Sequence, residues 1–271
     1  MKANKKLLAS AMALGLAGLT TVGSTYAWFA MNRTVTATGM AVKATTSTTL
    51  LISKDNAQDS TKNNRLTNGD TTINLAEVGT TVSLSPTSTV NGTDWFTAKG
   101  ATTSASGALT GSYEKVSSDD EAKYFLKKEM YVQNFDSAKT GNSGEKLVLD
   151  KVTVSYTTGD NLNASFRVLV VCGDKNVFVA PTTTIAPTNQ GVKSVDAGSA
   201  TLENITFATS SYTGTTATIT ANNVLIDDVE YNTVTKITVY VYFDGEDSSC
   251  YTDNIPETLN DYTVGVSYSL A

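Results

Sequence analysis

Apolar side chains recur at every second position along much of this chain, in stretches set apart by Gly, Asp and Asn, which is the pattern of half-buried strands. Ile237, Val239, Val241 and Phe243 form the cleanest alternation. Tyr262, Val264, Val266, Tyr268 and Leu270 form another, which predicts that the C-terminus is tied into a sheet. Leu147 and Leu149 alternate, the phase slips at Asp150-Lys151, and Val152, Val154 and Tyr156 continue on one face. Between the turn pairs Gly159-Asp160 and Gly173-Asp174, Phe166, Val168, Val170 and Cys172 share one face, while Leu169 and Val171 make the other apolar too. Such a strand is predicted to be central and covered on both sides. Residues 177–179, 205–207 and 224–226 are shorter strand predictions.

The N-terminal half is less regular. Val35 and Ala37 share a face, Gly39 breaks the phase, and Met40, Val42 and Ala44 resume it, which reads as one strand with a bulge. A short apolar stretch follows at 50–52. Residues 54–118 are rich in Thr, Ser, Asn, Gly and Asp, with apolar islands at 73–78, 82–84 and Trp95-Phe96, and are predicted to form an irregular insertion. Ser118 and Glu121 have the spacing of a capping box, and Phe125, Glu129 and Val132 that of a helix, yet residues 125–132 suit a strand equally. Strands recur between turn clusters with no alternating helix pattern, so the predicted fold is all-β, an antiparallel β-sandwich with an irregular Thr/Ser/Asn-rich insertion at about 54–118.

The first 27 residues follow a different grammar. Lys2, Lys5 and Lys6 precede an apolar stretch at 7–19, and the small-residue exit Thr25-Tyr26-Ala27 follows, which is the layout of a secretory signal peptide. The apolar run is shorter than the ~20 residues a spanning helix needs. Signal peptidase is expected to cut between Ala27 and Trp28, leaving 28–271 as one secreted domain, extracellular or held at the cell surface. Losing the three leader lysines takes the formal charge from -6 to -9. An acidic surface without a basic, aromatic-interleaved run argues against nucleic-acid binding. The chain has no histidine, which removes His-based triads, HExxH helices and His-anchored zinc. The protein is therefore expected not to be an enzyme.

The stretch Gly23-Ser24-Thr25-Tyr26-Ala27-Trp28-Phe29-Ala30-Met31-Asn32, running into a Val-Thr-Ala strand, resembles the signal-peptide junction of the TasA/camelysin group of secreted biofilm-matrix proteins. The resemblance covers the leader and about 20 residues beyond it. It implies a jelly-roll-like sandwich and assembly into fibres, in which the freed N-terminal segment of one subunit adds as a strand to the next. The residues that would do this here are Trp28, Phe29, Val35, Ala37, Met40 and Val42. Main-chain hydrogen bonds would supply affinity and the two aromatics would anchor the end. Periodicity alone equally allows residues 34–44 to pair within their own sandwich. The proteolytic label borne by the camelysins sits poorly with a histidine-free chain.

Cys172 and Cys250, the only cysteines, are a candidate disulfide in an exported protein, with two packed thiols as the alternative. Asp244, Glu246, Asp247 and Asp253 surround Gly245 in a candidate calcium loop, or a solvated acidic turn; no other cofactor is implied. Tyr240, Tyr242, Tyr262 and Tyr268 suit a sugar-stacking surface or simple sheet cover. The expected function is a secreted structural protein of the cell surface or biofilm matrix. Its partners would be further copies of itself, with matrix polysaccharide or other matrix proteins. A monomeric extracellular adhesin or carbohydrate-binding module is the alternative.

Overall fold

The computed structural model describes residues 35–37, 41–46, 50–75, 82–89, 91–103, 109–156, 165–180, 205–209, 216–245 and 262–271. In chain order the strands are β1 (Val35–Ala37), β2 (Ala41–Thr46), β3 (Leu50–Ser53), β4 (Gln58–Asp59), β5 (Arg65–Leu66), β6 (Thr72–Asn74), β7 (Val82–Leu84), β8 (Ser88–Thr89) and β9 (Trp95–Thr103). They continue with β10 (Leu109–Lys115), β11 (Phe125–Asn134), β12 (Leu147–Tyr156), β13 (Phe166–Cys172), β14 (Lys175–Ala180), β15 (Ile205–Thr209), β16 (Thr216–Ile226), β17 (Val234–Phe243) and β18 (Tyr262–Leu270). The described helix is confined to two single 3-10 turns, Ser60–Lys62 and Glu121–Lys123. The all-β expectation holds.

Two sheets carry the fold. One is ordered β15-β14-β13-β17-β11-β3, the other β16-β12-β18-β2-β6. Counting β2, β11, β12, β13, β14, β16, β17 and β18 as first to eighth, one sheet reads first-eighth-third-sixth and the other second-seventh-fourth-fifth. That is the strand order of a jelly roll. It departs from the regular form because β2 runs parallel to β18, and the added strand β15 runs parallel to β14. Between the first and second jelly-roll strands the chain passes through β3, antiparallel to β11, and β6, antiparallel to β2.

The core lies between the two sheets. Phe166, Val168, Val170 and Cys172 of β13, and Ile237, Val239, Val241 and Phe243 of β17, meet Val152, Val154, Val264, Val266 and Tyr268 from the opposite sheet. The phase slip at Asp150 is a β-bulge, since pairing with both β16 and β18 jumps from Leu149 to Lys151. The Asp150 carboxylate accepts a hydrogen bond from Ser269 Oγ at 2.6 Å. The turn at Gly173-Asp174 joins β13 to β14 as a two-residue hairpin with Gly173 at φ +59, the left-handed backbone such a tight turn requires.

The outer faces of the sheets differ. On the five-stranded sheet Lys43, Lys151, Thr218 and Thr220 are exposed, the polar half of an ordinary alternation. On the six-stranded sheet Leu169, Phe178, Tyr240 and Tyr242 are buried beneath Trp95 and Val116 of the insertion. The prediction that β13 is covered on both sides is thus correct, and the cover comes from the segment with the weakest strand signal.

Two expectations change and one open reading is settled. The strand with a bulge across Gly39 is two strands in different sheets: β1 pairs with β7, and β2 joins the sandwich. Residues 125–132 belong to a strand, β11. Its alternation is spoiled by Lys128, whose pairing opposite Val239 puts it on the interior face of the sheet. The capping box does not form, because the turn before β11 is one 3-10 turn with Asp120 at its N-cap and no side-chain cap.

Candidate functional site

The expected assembly strand divides at residues 38–40. Val42, with Ala44, is fully buried in the core, and β2 is flanked by β18 on one side and β6 on the other. Val42 is therefore part of the sandwich that would receive a strand, and it is not free to be donated. Val35 and Ala37 belong to β1, which makes three antiparallel Cα pairs with β7: Val35 with Leu84, Thr36 with Ser83 and Ala37 with Val82. This two-stranded ladder stands apart from both main sheets. Ala27, Trp28, Phe29 and Met40 lie outside the described residues.

The two strands of that ladder are held differently. β7 is followed at once by anchors to the body: Leu84 is fully buried, Ser85 N–H donates to Lys123 O at 2.7 Å, and Thr87 N–H donates to Phe243 O at 3.0 Å. The ladder partner of β1 among the described residues is β7. A fixed strand and a tethered one are the parts of an exchangeable contact.

One other edge is less inviting. Among the described residues β3 covers only Tyr131–Asn134 of β11, and the remainder of that edge carries the half-buried Lys128 on its interior side. An inward-facing charge is a recognised way of discouraging edge-to-edge pairing.

Beside β8 lies a buried charge pair that the sequence reading missed. Arg167 and Asp244 are both fully buried, with Arg167 Nε 3.6 Å from Asp244 Oδ2. Arg167 also donates from Nη1 to Phe166 O at 3.0 Å, and Ser88 Oγ donates to Asp244 Oδ1. The main chain supports the arrangement: Asp244 N–H donates to Ser165 O at 2.8 Å, and Gly245 N–H to Thr87 O at 3.2 Å. The pair thus fastens the segment carrying β8 to the ends of β13 and β17. The available signal was a lone Arg inside the apolar run Phe-Arg-Val-Leu-Val-Val.

Next to this latch, Asn91 Oδ1 accepts the N–H groups of Thr93 at 2.9 Å and Asp94 at 2.7 Å, folding a turn that delivers Trp95. Trp95 stacks on Phe125 with centroids 4.2 Å apart, meets Tyr242 edge-on at 5.0 Å, and donates Nε1–H to Gly92 O at 3.2 Å. Lys115 and Asp94 form an ion pair beside it, and that contact, followed by Asn91, holds the Asp94 carboxyl below its ordinary pKa.

The remaining candidates are redistributed by the fold. Asp244 is committed to Arg167 and Ser88, so it leaves the expected calcium set; Glu246, Asp247 and Asp253 lie outside the described residues. Among the described residues no group of three or more acidic or cysteine side chains is placed to hold a metal. All four late-strand tyrosines are buried: Tyr240 and Tyr242 under Trp95, Tyr262 and Tyr268 between the sheets. None offers an open ring face to a sugar.

Cys172 is a buried free thiol. Its expected partner, Cys250, lies outside the described residues. Phe243, from which the chain runs on toward residue 250, pairs with Phe166 at the far end of β13 from Cys172. At about 3.4 Å per residue the two ends of β13 are roughly 20 Å apart. A bridge would need the intervening segment to run almost straight back and enter the core. Burial pushes the Cys172 thiol up to about 11, so it is expected to resist thiol reagents at pH 8 in the folded protein and to react in denaturant. Rapid labelling of native Cys172 would contradict that.

Beside it, the Tyr268 hydroxyl is fully buried, has no hydrogen-bond partner among the described residues, and is kept protonated by that burial. Tyr268→Phe is expected to raise stability by about 1 kcal/mol in a urea titration, since it removes an unpaired buried hydroxyl. A loss of stability would mean that the hydroxyl is paired.

Comparison with known proteins finds no matching family model, no matching curated protein and no matching solved structure. What the fold defines is an all-β sandwich of jelly-roll strand order.

Proposed function

We propose that this chain is a secreted structural protein of the cell surface or biofilm matrix that assembles with copies of itself into fibres by strand addition of its N-terminal segment. The observation that supports this most is the placement of β1, which pairs outside both main sheets, while β2 is built into the sandwich. At about 1 kcal/mol net per hydrogen bond, a ladder of this length contributes on the order of 2–4 kcal/mol. Local opening at such a cost precedes global unfolding. A segment beginning Trp28-Phe29 and continuing into β1 can thus be released without dismantling the core. Matrix polysaccharide and other matrix proteins are secondary partners in this reading. The burial of the late-strand tyrosines takes those four rings away from the adhesin alternative.

Sedimentation velocity on protein beginning at Trp28, compared with protein beginning at Ala41, tests the reading. The first is expected to form species that grow with concentration, and the second to remain a folded monomer. The deletion must stop before Ala41, because one reaching Ala44 removes two fully buried side chains. Equal behaviour of the two proteins would remove the N-terminal segment from assembly.

A further inference from the structure

We infer that the parallel pair β2–β18 is a mechanical clamp, which resists tension between the N-terminal side of β2 and the end of β18 by shear. The inference rests on the functional reading only for its setting in a fibre; the clamp itself belongs to the fold of a single copy.

The direction of β2 decides how such tension acts. Six Cα pairs join the two strands, from Ala41 with Thr263 to Thr46 with Tyr268. Because the strands are parallel, the chain enters β2 beside the start of β18 and leaves β18 at the opposite end of the pair. At about 3.3 Å per residue the two points of pull, Ala41 and Leu270, lie roughly 20 Å apart along the strands. Tension between them draws β2 and β18 past each other along their own axes, and the evenly spaced bonds of a parallel ladder share that load and fail together. A first strand antiparallel to the eighth would put both points at one end of the pair, and the same tension would open the bonds one after another. The departure from the regular jelly roll thus replaces a weak loading geometry with a strong one.

Both strands are held against sliding. On its other edge β18 is paired with β12 from Tyr262 with Tyr156 to Leu270 with Leu147, and Ala271 exchanges two backbone hydrogen bonds with Lys146, at 2.8 and 3.0 Å. β2 is paired on its other edge with β6, through Lys43, Ala44 and Thr45. Val42, Ala44, Val264, Val266 and Tyr268 are buried between the sheets. Re-pairing after a slide of one residue would turn them out of the core, so no neighbouring register relieves the strain. In a fibre built by N-terminal strand addition, tension enters the sandwich of each copy at Ala41, which makes this pair the first part of it to carry load.

Single-molecule force spectroscopy on protein beginning at Trp28 tests the clamp by changing the direction of pull. Handles at Trp28 and Ala271 shear the ladder. Handles at Trp28 and at position 263 unzip it from its common end, Thr263→propargyllysine placing the second handle on the half-exposed residue that pairs with Ala41. At equal loading rate the shearing pull is expected to need several-fold more force. Lys43→Cys/Gly265→Cys provides a second arm, since the two positions are paired and a Cβ at Gly265 meets nothing closer than Thr153 Cβ at 3.7 Å. With that bridge oxidised, and confirmed by mass spectrometry, the shearing pull is expected to lose its unfolding event; reduction is expected to restore it. Equal forces in the two directions, or an unfolding event that survives the bridge, would overturn the clamp and leave assembly untouched. If protein beginning at Trp28 forms no fibres, the functional reading and the fibre setting fail, while the clamp is still decided by the two pulls.

Discussion

Arg167→Ala is expected to lower the unfolding free energy by about 3–5 kcal/mol, since removing one partner of a buried ion pair strands the other. Asp244 is fully buried and would lose the ion pair while keeping the Ser88 hydroxyl as a donor. A domain of this kind is typically stable by about 5–15 kcal/mol, so the loss is a large share of the whole. The effect comes from leaving a charge uncompensated, because a buried pair itself gains little over apolar side chains. Replacing both residues with apolar ones of similar size, as in Arg167→Met/Asp244→Leu, is therefore expected to recover most of the loss. Urea titrations of the single and double variants form the cycle. A single-variant loss below about 1 kcal/mol would show that Asp244 is reached by water.

Trp95→Ala has a comparable expected cost, about 3–5 kcal/mol, with a different distribution. Trp95 is met by three other rings, Phe125, Tyr240 and Tyr242, and its Nε1–H donates to the Gly92 carbonyl. Its removal uncovers the outer face of the six-stranded sheet and leaves the core between the sheets intact. Proteolytic cleavage is expected to appear first within residues 85–116, under conditions in which the far-ultraviolet circular dichroism of the sandwich persists. Loss of β-sheet signal before any cleavage in that segment would mean that cover and core unfold together.

The elements that sequence made legible are those whose side chains declare both faces. β13 reads as doubly covered because apolar residues fill both parities, and the Asp150 bulge reads as a slip because the parity changes there and nowhere else in the strand. Partner choice leaves no such trace. Neither the parallel pairing of β2 with β18 nor the separation of β1 from β2 marks the sequence, because a bulge at Gly39 would give the same pattern. Contacts between distant segments were equally hidden. Arg167 and Asp244 stand far apart in the chain, and although a lone Arg inside an apolar run is a signal, nothing in the sequence names Asp244 as its partner. β11 was ambiguous because Lys128 occupies an interior position, which breaks the alternation where a sheet edge is being protected. The boundary between β1 and β2 was not legible, since Val42 and Ala44 resume the alternation of Val35 and Ala37 after the phase break at Gly39 while belonging to another sheet.

Negative-stain microscopy of purified protein beginning at Trp28, beside protein beginning at Ala41 that has been shown to be folded by circular dichroism, addresses assembly by the N-terminal segment most directly. Fibres from the first and dispersed particles from the second are the predicted result. Fibres from both, or dispersed particles from both across concentration and pH, would contradict it.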